Sequence, residues 1–190
     1  KLDQTENKEE KNQVQIQLAL ISGHLKEWDE IQPVPPTNSF SDRMTLFRGS
    51  REIQLHFFGR AHTGGDVVVY FPSEKLAFTG DMMLAGPSWL GDGYVDEWVE
   101  TLENLKTLDV EKIVPGHGMP FTEIHKIDLV QAFYKDLWGK TKVFFDEGVS
   151  SESASKMIDM TNHKDSLGVS RAGFDQLAIK RMYQRMSGED

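Results

Sequence analysis

From Val14 onward the chain carries two hydrophobic periods at once. Val14, Ile16, Leu18 and Leu20 alternate with polar residues as in a strand, while Val14, Leu18, Ile21, Leu25 and Trp28 recur at helical spacing. The helical pattern outruns an ordinary strand, and its polar positions are Gln, Lys and Glu, all good helix formers, so a helix is predicted. Gly23 inside it costs about 1 kcal/mol against Ala. Pro33, Pro35 and Pro36 stop the helix and turn the chain into an extended connector. The charged stretch Lys1 to Asn12 is expected to fray.

Beyond the connector the period shortens. Met44 to Phe47 and Glu52 to Phe58 predict a hairpin around Arg48-Gly49-Ser50, and Asp66 to Phe71 with Leu76 to Thr79 predict a second around Pro72 to Lys75. Val67 to Tyr70 is apolar throughout, as in a strand covered on both faces. A Gly-rich loop, Met82 to Gly93, follows, with Trp89 at its middle. Tyr94 to Leu108 predicts an amphipathic helix with Val95, Trp98, Leu102 and Leu105 on one face, and Ile113-Val114 a short strand before Pro115. Ile127, Val130, Phe133, Tyr134, Leu137 and Trp138 stripe a long helix. Ser150 or Ser151 caps a shorter one, and Phe174, Leu177, Ala178, Met182 and Met186 mark the last. Strands first, with helices between and after, predict a layered α/β domain with a mixed sheet over residues 40–190, preceded by a helix and Pro-rich connector over residues 1–39.

Composition narrows the chemistry. With 190 residues, 38% of them apolar, and with 11 Phe and 4 Trp, the chain has enough for one core. No apolar run approaches the roughly 20 residues of a membrane-spanning helix, so no membrane partner is expected. A formal charge of −9 without a basic stripe argues against nucleic acid as partner and leaves a small-molecule substrate. There are no cysteines, so any metal must be held by His and carboxylate. Residue 1 is Lys, which implies a removed leader or a piece of a longer chain, and the compartment stays open between periplasmic or secreted and cytoplasmic.

Three short phrases carry the candidate chemistry: AHTGGD at Ala61 to Asp66, a turn FTGD at Phe78 to Asp81, and a loop PGHG at Pro115 to Gly118. Each sets a metal-type ligand, His62, Asp81 or His117, just past an apolar run predicted as a strand, where α/β sheets place their ligand-binding groups. Two imidazoles and a carboxylate suit a hydrolytic metal, and the glycines beside them permit tight turns and close backbone approach. Asp66 and Thr63 are candidates for supporting the His62 loop or its imidazole, and Trp89 for lining a substrate pocket. His24, His56, His125 and His163 have no companion ligands in sequence, and Trp98 and Trp138 fall on apolar stripes.

These phrases, with SFSDRMTL, HFFGRAHTGGDVVVYFPSEKLAFTGD and VEKIVPGHG around them, resemble metallo-β-lactamase-fold hydrolases from Phe40 onward. The Gln-rich helix and PVPPT connector resemble the middle of such proteins. The resemblance implies the C-terminal half of a four-layer αβ/βα sandwich, a mixed sheet with flanking helices. It implies that His62 joins one metal, His117 a second, and Asp81 bridges them. The His-x-His-x-Asp-His run that supplies the other ligands and the water-orienting Asp does not occur in these residues.

The resemblance further implies a di-metal hydrolase, zinc first and iron second, whose metal-activated hydroxide attacks an ester, thioester, lactone or amide. Zinc β-lactamases of the best-known subclass carry Cys where this chain has Asp81, so β-lactams are not the favoured substrate. The isolated chain is expected to bind zinc weakly, at most as a two-His, one-carboxylate set on one ion, and to be inactive. Its sheet face would be left open to a complementing N-terminal half or a second copy. The alternative is a non-catalytic binding or assembly module that lost the first motif.

Overall fold

The computed structural model describes residues 8–28, 30–84 and 88–189. The expected fraying of residues 1–7 and the middle of the Gly-rich loop, residues 85–87, lie outside them. The chain separates into two compact units, Lys1–Ser39 and Phe40–Asp190. In the first, helix α1 spans Lys8–Trp28 and runs through Gly23. It takes in the last five residues of the stretch expected to fray, because Lys8, Glu9, Glu10 and Lys11 are themselves good helix formers. The Pro-containing connector that follows has no regular structure.

The second unit is built on a five-stranded mixed sheet in the order β1-β2-β3-β4-β5. Strands β1 (Arg43–Arg48) and β2 (Arg51–His56) form the first hairpin around Gly49. β2 pairs antiparallel with β3 (Val68–Phe71), and β3 with β4 (Leu76–Leu84) across a single 3-10 turn at Pro72–Glu74. β5 (Lys112–His117) then lies parallel to β4, which requires a crossover, and helix α2 (Val95–Leu105) occupies it.

Two elements reach further than their sequence pattern indicates. FTGD is not a turn: β4 continues through it to Leu84. Gly80 adopts φ +53° and the β4–β5 register shifts on either side of it, so the glycine makes an irregularity inside the strand instead of ending it. PGHG likewise is no free loop, since Pro115, Gly116 and His117 close β5 and only Gly118, at φ +96°, leaves the sheet.

Helices α2, α3 (Lys126–Asp146), α4 (Ser151–Met157), the short α5 (Lys164–Leu167) and α6 (Gln176–Met186) complete the unit. Asp96 and Glu97 sit in the first turn of α2, where the helix dipole favours them. Ser150 and Asp175 cap α4 and α6 by accepting from the Ser153 and Ala178 N–H groups. One face of the sheet is buried: Val68, Ala77 and Ile113 share a core with Trp98, Leu102 and Phe133. The opposite face carries an unbroken apolar row, Met44, Leu55, Val69, Phe78 and Val114, each paired with the next across all five strands. None of the five is buried. The two-sided cover expected for Val67 to Tyr70 is therefore one-sided among the described residues, with Val68 and Tyr70 buried and Val69 on the open face.

Candidate metal centre

His62 does not lie at a strand end. It sits in the connector between β2 and β3, whose backbone is held by the crossover helix. Asn104 Nδ2 donates to the Phe58 carbonyl (3.1 Å) and Thr101 Oγ1 to that of Arg60 (2.8 Å), while Tyr94 N–H donates to that of Ala61 (2.8 Å). Ala61 is fully buried. Arg60 pairs with Glu97, and Arg185 of α6 pairs with Asp96 and Glu97 at 2.7 and 2.8 Å, so a shared ion-pair group ties this connector to α2 and α6. Three of its carbonyls and one of its charges are thus satisfied by helices, and His62 inherits their rigidity.

The imidazole itself is caught from both sides. Its ring lies edge-on to Trp98 (5.9 Å between centroids) and to Trp89 (6.5 Å). Nδ1 is 3.0 Å from Ser88 Oγ, and the Ser88 hydroxyl donates onward to the Trp89 carbonyl at 3.2 Å. A Ser88 proton held on that carbonyl would leave Oγ to accept from Nδ1–H. That tautomer would put the lone pair on Nε2, the nitrogen that faces Asp81.

Asp81 faces both histidines. Its Oδ2 is 3.6 Å from His62 Nε2, and its Oδ1 is 3.6 Å from His117 Nε2. At 3.6 Å neither contact is a hydrogen bond. Two ligand atoms bound at roughly 2.0–2.1 Å around one tetrahedral ion stand about 3.4 Å apart, close to what each pair shows. One carboxylate oxygen per imidazole is the disposition of a bridging ligand. Gly116 makes room for it: a Cβ there would collide with Asp81 Oδ1 and approach the Asp81 backbone nitrogen to 2.8 Å. The donor set of nitrogen and oxygen fits zinc, and iron as well.

The two imidazoles differ in exposure. The His62 side chain is 16% exposed, while that of His117, at the tip of β5, is 79% exposed. Among the described residues no three His, Asp or Glu side chains gather closely enough to hold an ion by themselves. The expected collapse of all three ligands onto one ion is thus not the arrangement seen, because Asp81 presents a different oxygen to each imidazole. The three side chains thus form two separate imidazole–carboxylate pairs that share Asp81.

Of the supporting candidates, Asp66 accepts from the Thr63 N–H (2.8 Å), and Thr63 Oγ1 accepts from the Gly65 N–H (3.2 Å), so both tie the backbone after His62. Trp89 is half exposed beside His62. Ser88 went unread in the sequence, since a lone Ser in a Gly-rich loop carries no signal of a partner 26 positions away. The remaining histidines lie elsewhere. His56 stacks on Phe58 and contacts Gln54 at 2.8 Å, and His163 meets Asp136 at 3.0 Å. His24 stands exposed on α1, and His125 precedes α3.

The family model described as the metallo-beta-lactamase superfamily matches residues 7–117, more than half the chain and inclusive of His62, Asp81 and His117. The chain belongs to the metallo-beta-lactamase superfamily. A metallo-beta-lactamase type 2 from Elizabethkingia meningoseptica is 31% identical over 104 residues, covering 50% of this chain and 42% of its own length. A 2,4-dinitroanisole O-demethylase subunit alpha from a Nocardioides species is 29% identical over 87 residues, covering 44% and 26%. The chain therefore spans less than half the length of these relatives. Among solved structures, a metallo-beta-lactamase from Pontibacter korlensis aligns over 56% of this chain and 52% of its own, with 21% identity and a TM-score of 0.49.

Proposed function

We propose that this chain supplies the His62–Asp81–His117 side of a di-metal hydrolase centre, zinc being the expected metal, that acts on an ester, thioester, lactone or amide. The observation that carries the reading is the pair of 3.6 Å separations between two imidazole Nε2 atoms and the two oxygens of a single carboxylate. Bound there, the metals would supply Lewis acidity and a water acidic enough to be nucleophilic at neutral pH.

The chain's own residues do the positioning. Ser88 fixes the His62 tautomer and ring, so that Nε2 is presented unprotonated. Asp81 sets the spacing between the two metal positions and adds a negative charge that offsets the cations. Trp89 walls the side of His62 and keeps bulk water from that imidazole. The water-orienting carboxylate and the remaining ligands belong, on this proposal, to a complementing N-terminal half docked on the open apolar face of the sheet, with a second copy of the chain as the alternative partner.

The test is a zinc titration of the chain by calorimetry, beside Asp81→Asn. Asp81 is common to both pairs, so the substitution is expected to abolish zinc binding at both histidines. Unchanged zinc uptake in D81N would contradict the reading and favour a non-catalytic binding module.

A further inference from the structure

Where β4 and β5 end lies a cavity of about 400 Å³, within the range of small-molecule sites. Its place follows from the strands. Leu84, the last residue of β4, pairs with His117, the last of β5, and both Met83 and Leu84 line the cavity. Met119, Pro120 and Phe121 follow His117 along another wall, and Leu129 and Val130 of α3 close the back. Phe121 is anchored by reciprocal backbone hydrogen bonds with Ile113 of β5 (2.8 and 2.9 Å), so that wall is continuous with the sheet. Met119, 82% exposed, stands at the mouth.

The polar side chains along this lining pair with one another or with the backbone at its exposed edge. Glu123 Oε1 takes Lys126 Nζ at 3.1 Å, and its Oε2 accepts from the Thr122 N–H at 3.0 Å. Lys126 also lies over the Phe121 ring at 4.9 Å, and Ser166 donates to the His163 carbonyl at 3.3 Å. A charged guest would find its partners taken. An apolar guest gains the burial of its whole length, and the two methionines can shape themselves to it.

We propose that this cavity receives the apolar arm, an alkyl or acyl chain, of a substrate whose scissile group is held at His117 and Asp81; the assignment rests on the metal-centre reading above. A substrate with such an arm would gain affinity with each methylene buried in the cavity.

The experiment uses the 190-residue chain with its methionine methyl groups labelled with carbon-13. 1-Octanol, a neutral probe with no bond to hydrolyse, is titrated against 1-butanol. Octanol is expected to shift the Met83 and Met119 methyl resonances saturably and to leave Met44, on the open sheet face, unmoved, with butanol at least tenfold weaker. Leu129→Trp, which fills the cavity, and Met119→Glu, a charge at the exposed mouth that leaves the core intact, should each weaken octanol at least tenfold at Met83. Shifts confined to Met44, equal shifts at every methionine, or unchanged affinity in both variants would overturn the proposal. A parallel zinc titration, followed at the His62 and His117 imidazoles, separates the two readings. Octanol binding without zinc binding overturns the guest as substrate, and zinc binding without octanol binding overturns the cavity while sparing the centre.

Discussion

Ser88 and Gly116 determine whether His62 and Asp81 can act together, yet neither bears a metal-type side chain. Ser88→Ala removes the hydroxyl that meets His62 Nδ1 and frees the ring to change tautomer or turn. Partners of this kind are worth roughly 10–100-fold in metal affinity, so S88A is expected to lose at least tenfold in zinc affinity by calorimetry while its thermal midpoint changes little. Gly116→Ala acts on the other ligand, because the added Cβ would occupy the place of the Asp81 carboxylate and press on the backbone of β4. Backbone cannot step aside as a flexible side chain would. A stability loss of about 1–3 kcal/mol in urea titration, together with weaker zinc binding, is the expected outcome. Full zinc affinity in G116A would show that the carboxylate does not need its present position. The glycine was legible in the phrase PGHG as a site of close approach, although which atoms it admits depends on a neighbouring strand. Ser88 was not legible, since its partner is set by the path of the connector and not by local sequence.

Among the elements, hydrophobic period identified the stripes of α2 and α3, which bury against one core. The stripe read for α6 was partly displaced, since Ile179 is buried while Leu177 is 54% exposed. Alternation marked the two hairpins, although β1 and β2 contribute no residue to that core. Where the ligands sit relative to those elements was less legible. FTGD and PGHG have the composition of turns, but β4 and β5 pair in parallel through both phrases, and sheet hydrogen bonding overrides local turn preference. His62 was expected at a strand end and lies six residues past β2, in a connector whose order comes from Asn104, Thr101 and Tyr94. Within β2 itself, His56 is buried, stacked on Phe58, and its pKa is lowered, first by desolvation and then by the Arg43 charge. The native state therefore resists protonation that the unfolded chain accepts near pH 6.5. Below that pH the unfolded state binds more protons, so stability is present above about 6.5 and falls as the pH drops toward the lowered native value. Urea midpoints measured at pH 8 and pH 5 should show this slope in the parent and a shallower one in His56→Gln. Equal slopes would mean that His56 does not contribute to it.

At the scale of the whole molecule, the apolar row Met44-Leu55-Val69-Phe78-Val114 is the feature most at odds with a solitary domain. Phe78, on β4, is 40% exposed. Faces of this kind mark interaction sites or drive aggregation. Phe78→Lys is expected to lower both dye binding and self-association of the chain in sedimentation velocity, while leaving the helical circular dichroism unchanged. A parent chain that sediments as a clean monomer and binds no dye would remove the case for a partner on that face. The row was half legible: the all-apolar run Val67 to Tyr70 indicated two covered faces, and the second cover is not supplied by the described elements of this unit.

The proposed centre stands or falls on whether both imidazoles share the Asp81 carboxylate through bound metal. Anomalous diffraction at the zinc absorption edge, from crystals of the chain grown in excess zinc, addresses it directly. Zinc is expected within bonding distance of Asp81 and His62, the more buried pair, with a second, weaker peak between Asp81 and His117 at roughly 3.5–4 Å from the first. Zinc bound at other surface groups while Asp81, His62 and His117 carry none, or the two imidazoles turned away from that carboxylate, would contradict it.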